Sequence, residues 1–121
     1  MQILFSLSAS EMNRACYRLR PTLTGQAEDG VDRIAFTIDE RCVEIATNET
    51  SEGLAADVQR KGRASVPSTV MYGVITTLPY FGQKKIQVSF SKGKMRVDDL
   101  VFHHRMIMLT NSVASPRRLS L

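Results

Sequence analysis

Residues 62–79 read GRASVPSTVMYGVITTLP and contain a short strand, a helix and the residues that bound them. Pro67 stands where a helix can begin, because proline fits the first helical turn, and Pro79 stands where the helix must end. Apolar residues recur between the two prolines at three- and four-residue spacing: Val70, Met71, Val74, Ile75 and Leu78. This stripe predicts an amphipathic helix that packs on a sheet, preceded by a short strand over residues 63–66.

A similar strand and helix begin the chain. Residues 1–7 alternate, with Ile3, Phe5 and Leu7 on one side, which predicts a strand. Ser8 or Ser10 can cap a following helix, and Pro21 stops it. Its apolar stripe consists of Met12, Ala15, Cys16 and Leu19. The chain therefore carries two strand and helix pairs, one in each half.

Short strands follow each predicted helix. Residues 22–32 have the composition of an exposed loop, and residues 33–38 and 42–47 then form a predicted hairpin. Leu54, Ala56 and Val58 alternate in a further strand. After the second helix we predict strands over residues 85–90, around Met95 and Val97, and from 100 to about 109. The order predicts an α+β, two-layer domain in which a duplicated unit lays two helices on an antiparallel sheet.

Length and charge distribution bound the kind of protein. With 121 residues and 43% hydrophobic residues, the chain suits one globular domain, which we place at residues 1–112 with a flexible tail at 113–121. Residues 1–79 hold eight Lys and Arg against ten Asp and Glu, whereas residues 80–121 hold eight against two. This uneven distribution of charge along the chain suits a polyanionic partner or head-to-tail self-association. Without a long apolar run or a basic leader we expect no membrane contact and a cytoplasmic location.

The residue types needed for catalysis do not cluster in the sequence. His103 and His104 are adjacent in a predicted strand, so their side chains should point to opposite faces. The glycines form neither a dinucleotide-binding nor a phosphate-binding loop, and Cys16 and Cys42 are expected to be buried, reduced thiols. We therefore expect no enzyme, no cofactor and no metal.

The order of several short motifs resembles that of a known family. VEIATNETS at residues 43–51 is followed by GRASVP at 62–67, the Leu78-Pro79 pair and then Ile86-Gln87-Val88. This order resembles one domain of the bacterial DNA sliding clamp, the beta subunit of DNA polymerase III. The resemblance implies a domain whose helices face the hole of a ring and whose sheets form its outside. The family's protein carries three such domains on a chain, whereas this sequence carries one.

Basic residues on the first predicted helix are the first candidates for contact with DNA. A clamp holds duplex DNA without sequence specificity, through Lys and Arg near phosphates. The first helix offers Arg14, Arg18 and Arg20. Five further cations are expected at strand ends and turns on the rim, where they could also touch DNA: Lys84, Lys85, Lys92, Lys94 and Arg96. The alternative is that Arg14 and Arg18 form only a solvated helix face with Glu11 nearby.

Two further segments are candidates for contact with proteins. Clamp domains pair through sheet edges, so we expect self-association, with residues 53–59 of one copy against residues 100–109 of another. The tail residues Arg118, Leu119, Ser120 and Leu121 resemble the end of the peptides that dock on bacterial clamps, although arginine replaces the usual glutamine and no aromatic residue follows. A disordered end is the alternative.

Together these features predict a non-enzymatic, clamp-like protein that acts on duplex DNA. It would self-assemble into a ring or partial ring and tether partner proteins, such as replication or repair proteins, on the DNA. The alternative is an adaptor or inhibitor that keeps the clamp fold, binds the replication machinery and does not encircle DNA.

Overall fold

The computed structural model describes residues 2–20 and 33–110. The predicted loop at 22–32, the helix stop at Pro21 and the tail at 113–121 lie outside these ranges. Within them the chain forms β1 (Ile3–Ser8), α1 (Ala9–Leu19), β2 (Arg33–Asp39), β3 (Cys42–Ala46), β4 (Ser51–Ala55), β5 (Asp57–Arg60), β6 (Gly62–Pro67), α2 (Ser68–Thr77), β7 (Lys85–Ser91), β8 (Lys94–Val97), β9 (Leu100–His103) and β10 (Met108–Thr110). A 3₁₀ turn over Leu78–Phe81 follows α2.

The strands form two antiparallel sheets of five strands. Sheet A has the order β5-β1-β7-β8-β9, and sheet B has the order β10-β6-β2-β3-β4. In sheet A, β1 from the first half of the chain lies beside β7, β8 and β9, the strands that follow α2. In sheet B, β6 from the second half lies beside β2, β3 and β4, the strands that follow α1. The predicted α+β class with two helices and a duplicated unit is confirmed, and the halves interlock so that neither half can complete a sheet alone.

One apolar core lies between the two sheets and the helices. The Phe90 ring, from sheet A, lies 5.0 Å from the Phe36 ring of sheet B and 6.3 Å from the ring of Phe5. All three phenylalanines are fully buried, and a continuous cluster of buried side chains surrounds them. Because the aromatic contact joins strands of both sheets, the core is shared by the two halves of the sequence.

Both helices form where the sequence predicts them. The Ser8 Oγ caps α1 by accepting a hydrogen bond from the Glu11 backbone N at 3.3 Å, and the predicted apolar stripe of α1 is buried. Helix α2 begins directly after Pro67 and buries the stripe that starts at Val70. The α-helix ends at Thr77, and the chain continues into the 3₁₀ turn that contains Pro79. Among the described residues, neither helix has the length and apolarity to cross a membrane.

Two of the predicted strands are each divided between the sheets. The stretch around residues 53–59 forms β4 in sheet B and β5 in sheet A, with the crossing at Ala56, whose backbone N donates to the Arg41 carbonyl at 2.9 Å. The stretch at 100–109 is likewise divided into β9 and β10, separated by a turn in which Ile107 N donates to the His104 carbonyl. Both sheets cover the same core, so the apolar alternation continues across each crossing and conceals it in the sequence.

Candidate nucleic-acid interface

The outer side of helix α1 carries the arginines predicted to contact DNA. Arg14 and Arg18 are exposed and four residues apart, so they lie on one side of the helix. Arg20 caps the end of the helix, and its guanidinium carbon lies 5.7 Å from the centre of the Tyr17 ring. The Tyr17 side chain is 62% exposed. This surface presents three arginines and an exposed aromatic ring.

One of these arginines has a partner on a sheet edge. The Arg18 Nε donates to Glu52 Oε1 at 3.0 Å, and Glu52 lies on β4, the outermost strand of sheet B. The Arg18 side chain remains 53% exposed, so the ion pair leaves part of its guanidinium open to solvent. The pair reduces the charge that Arg18 offers to a phosphate.

Helix α2 contributes no positive charge to this side of the molecule. Its sequence, STVMYGVITT, contains no basic residue, and Thr69 and Thr76 are its exposed positions. Tyr80, in the 3₁₀ turn that packs on α1, is 89% exposed. The helix side of the domain is therefore basic at α1 and polar but neutral at α2.

Lys84 and Lys85, two of the residues predicted on the rim, lie at the other end of α1. The backbone N of Ala9, at the start of α1, donates to the Lys84 carbonyl at 3.0 Å, whereas Arg18 lies near the helix end, about 14 Å along the axis. Lys84 Nζ lies 3.3 Å from Asp98 Oδ2, and Lys85 pairs with Asp57. The structure thus separates these lysines from Arg18 and Arg20 and gives each an acidic neighbour.

A second basic surface lies on the outside of sheet A and contains Lys94 and Arg96, two of the residues expected on the rim. Met95 and Val97 of β8 are fully buried, so Lys94 and Arg96 point to the opposite, exposed face. The alternation KMRV is the signal that places these two cations side by side on one face. We call this the outer face of sheet A.

The outermost strands of both sheets have no strand partner on one side within the described chain. These strands are β4 and β5, and β9 and β10. On β9, Leu100 and Val101 are large exposed apolar residues, while Gly53 on β4 has open space around the position of a Cβ. Such edges can pair with a strand of another molecule.

The described residues show no cluster suited to metal binding. They contain no group of three or more His, Cys, Asp or Glu that could hold a metal ion. His103 ends β9, and His104 lies beyond the strand, where its Nδ1 accepts a hydrogen bond from Met106 N at 3.1 Å. Cys16 is buried, which raises its pKa to about 12. The expectation that Cys42 is also buried was wrong, because its side chain points away from the core on β3.

The predicted protein-docking tail lies outside the described residues. Arg118, Leu119, Ser120 and Leu121 all fall beyond residue 110, the last residue that the structure describes. Their role stays a prediction from sequence.

Two solved structures match the chain over almost its whole length. The beta sliding clamp of C. crescentus has a TM-score of 0.69 and 12% sequence identity, over 95% of this chain and 32% of that protein. The DnaN sliding clamp (DNA polymerase III subunit beta) of Bartonella birtlesii, bound to griselimycin, has a TM-score of 0.69 and 13% identity, over 94% of this chain and 31% of that protein. No family model and no curated protein matches by sequence.

These matches establish the fold of the chain. It is a single domain with the DNA clamp fold, and it spans about a third of the length of the matched proteins. The resemblance predicted from the order of its motifs is confirmed at the level of the fold.

Proposed function

We propose that this chain is a non-enzymatic, sliding-clamp-like protein that self-assembles into a ring or partial ring on duplex DNA and tethers partner proteins there. The observation that supports the proposal is the clamp fold in a chain with an unpaired sheet edge on either side, β4 and β9. We further propose that it acts in the cytoplasm and that its partners include replication or repair proteins.

Self-assembly is supported by the charge around the sheet edges of the domain. One clamp-fold domain matches about a third of each clamp, so several such domains would be needed to surround a duplex. Residues 42–55, which include β4, hold three Glu and no Lys or Arg, whereas residues 92–105, which include β9, hold four Lys and Arg against two Asp. Because opposite charges attract, the β4 edge of one copy should join the β9 edge of the next rather than a second β4 edge.

Contact with DNA is proposed for the outer side of α1. Arg14, Arg18 and Arg20 would lie near phosphates and bind without reading the bases. Because α2 adds no cation, each copy would contribute weak affinity, and retention would depend on closure of the assembly. Lys84 and Lys85 would contribute less, since Asp98 and Asp57 already neutralise part of their charge.

A second candidate function is a clamp-fold adaptor or inhibitor that binds proteins of the replication machinery and does not encircle DNA. The ion pair between Arg18 and Glu52 favours it, because one of the few cations on the helix side is already partnered. The absence of basic residues from α2 points the same way.

The native mass in solution distinguishes the two candidates. Size-exclusion chromatography with light scattering, run over a range of protein concentrations, should give a closed oligomer if the proposal holds. Circular DNA should then retain the protein at moderate salt, while linear DNA of the same length should release it from its ends. A monomer at every concentration, or equal release from both DNA forms, would favour the adaptor.

A further inference from the structure

The outer face of sheet A presents a row of cations at defined spacing. On β8, Lys94 and Arg96 are two residues apart, about 6.8 Å along the strand. His103 stands directly opposite Lys94 on β9, and Ser89 stands opposite Arg96 on β7. Arg60, at the end of β5, stands opposite Leu4 of β1, whose side chain alternates away from the buried Ile3 and Phe5.

Acidic residues on this face are few. Asp57 of β5 stands opposite Ser6 of β1 and pairs with Lys85. No described ion pair involves Lys94, Arg96 or Arg60. These three side chains are exposed, so their charges face solvent.

The internal duplication shows that the fold does not require these cations. The hairpin of β2 and β3 in sheet B is equivalent to the hairpin of β7 and β8 in sheet A. Glu44 stands opposite Thr37 in the first hairpin, and Arg96 stands opposite Ser89 at the equivalent position of the second. In the same way Cys42 occupies the position equivalent to Lys94. The same backbone arrangement thus carries a carboxylate in one sheet and a guanidinium in the other, so the basic character belongs to the outer face of sheet A specifically.

We propose that the outer face of sheet A is a second contact surface for nucleic acid, which binds the sugar-phosphate backbone of a duplex. This face points away from the core on which α1 packs, because the inward side chains of β7 and β8, such as Val88 and Met95, are buried in the same cluster as Met12 of α1. Neighbouring phosphates of one DNA strand are about 3.4 Å apart along the helix axis and are also turned around it, which makes them about 7 Å apart in space, so cations about 6.8 Å apart match neighbouring phosphates. The proposal goes beyond the ring: the chain would hold a second segment of DNA outside the assembly.

The composition of the face favours phosphates over an acidic protein. Serine residues stand beside the cations on the neighbouring strand, Ser89 opposite Arg96 and Ser91 opposite Lys94. Serine hydroxyls and these cations both donate hydrogen bonds to phosphate oxygens. Protein interfaces are anchored by buried aromatic and large apolar residues in pockets. Among the described residues of this face, the large exposed apolar side chain is Val101 on the edge strand β9, and there is no aromatic ring.

The test isolates the outer face by first disabling α1. In an Arg14→Glu, Arg20→Glu background, Lys94→Glu and Arg96→Glu are added. The control instead adds Arg41→Glu, in the turn between β2 and β3, and Arg63→Glu, on β6 of sheet B. Each substitution lowers the formal net charge by two, so both quadruple variants have a formal net charge of −4 instead of +4. Binding of a fluorescent 20-base-pair duplex is followed by anisotropy at low ionic strength and repeated at increasing salt.

The proposal predicts measurable binding by the background and control proteins and at least tenfold weaker binding by the Lys94→Glu, Arg96→Glu protein. Loss of these contacts should also make affinity less dependent on salt. The slope of log affinity against log salt should fall in magnitude by about 0.9 for each lost contact, or about 1.8 for the pair. Equal affinity of the two quadruple variants would overturn the proposal, as would no binding by the background protein.

A second measurement separates nucleic acid from an acidic protein partner. Poly-glutamate of the same total charge as the duplex should compete at least tenfold less well than unlabelled duplex, and equal competition would overturn the proposal in favour of an acidic protein. The milder Lys94→Gln, Arg96→Gln pair, checked for an unchanged melting curve, should weaken duplex binding in the same direction, and unchanged binding would also overturn the proposal.

Discussion

The Arg18 Nε on helix α1 donates a hydrogen bond to Glu52 Oε1 on the edge strand β4, at 3.0 Å. The contact links the surface proposed to meet DNA with a sheet edge proposed to meet another copy. Both side chains are partly exposed, so the ion pair itself adds little to stability. Its main effect is to decide how much of the charge of Arg18 is available to a phosphate.

Removing the carboxylate should therefore strengthen DNA binding. Glu52→Gln frees Arg18, and we expect a several-fold rise in duplex affinity at low salt with a change of less than about 1 kcal/mol in the free energy of unfolding. Glu44→Gln, which changes the net charge equally but leaves the ion pair intact, is the control. A gain of equal size in both variants would assign the effect to net charge alone.

An added charge on the edge of sheet A should weaken self-association. Lysine on an edge strand opposes pairing with another strand, so Val101→Lys should shift the mass measured by light scattering toward the monomer. Thr69→Lys adds the same charge on the exposed side of α2 and should leave the mass unchanged. If the two variants assemble equally well, β9 is not the joining edge.

Two glycines should respond oppositely to a methyl group. A Cβ at Gly62 would lie 2.9 Å from the Ile3 side chain and 3.1 Å from the Thr110 carbonyl oxygen, so Gly62→Ala should cost about 1–3 kcal/mol. A Cβ at Gly53 meets nothing within 4 Å, and Gly53→Ala should be neutral or slightly stabilising. Urea unfolding of both variants measures the difference, and a tolerated Gly62→Ala would contradict the close packing of β6 on β1.

A charge in the core stripe of α2 should unfold or strongly destabilise the domain. Val74 is fully buried, so Val74→Asp should cost at least about 3 kcal/mol, because the carboxylate has no partner there. Thr69→Asp, exposed in the first turn of the same helix, should change stability by less than about 1 kcal/mol. Circular dichroism during urea titration compares the variants, and a stable Val74→Asp protein would show that this face of α2 is not packed.

The two thiols should differ in reactivity. Burial raises the pKa of Cys16 to about 12, whereas Cys42 is exposed. A thiol-reactive dye at pH 8 should label one thiol per folded chain, and Cys42→Ser should abolish that labelling. The neutral Cys16 thiol stabilises the fold, so its contribution to stability should be complete below its ordinary pKa of 9.0 and decline as the pH rises toward 12. Rapid labelling of the Cys42→Ser protein would place Cys16 at the surface.

The candidate site followed from the sequence only where local geometry determines it. The four-residue spacing of Arg14 and Arg18 is sufficient to place them on one exposed side of a helix. That Lys84 lies beside the start of α1 was not foreseeable, because it depends on β7 starting next to the first turn of that helix. Lys94 and Arg96 were expected on the rim, but that they share a sheet face with Arg60 was not foreseeable, because it depends on β1 and β7 lying between β5 and β8.

The sequence by itself determined the two helices, the alternation of the strands and the order of elements that resembles a clamp domain. These features depend on contacts within a turn or a strand, so spacing along the chain reports them directly. Only the tertiary structure decided that there are two sheets, that the chain crosses between them at Ala56, and that Glu52 meets Arg18. Strand pairing joins residues far apart in sequence, and an apolar alternation that faces one shared core is the same whichever sheet a strand enters.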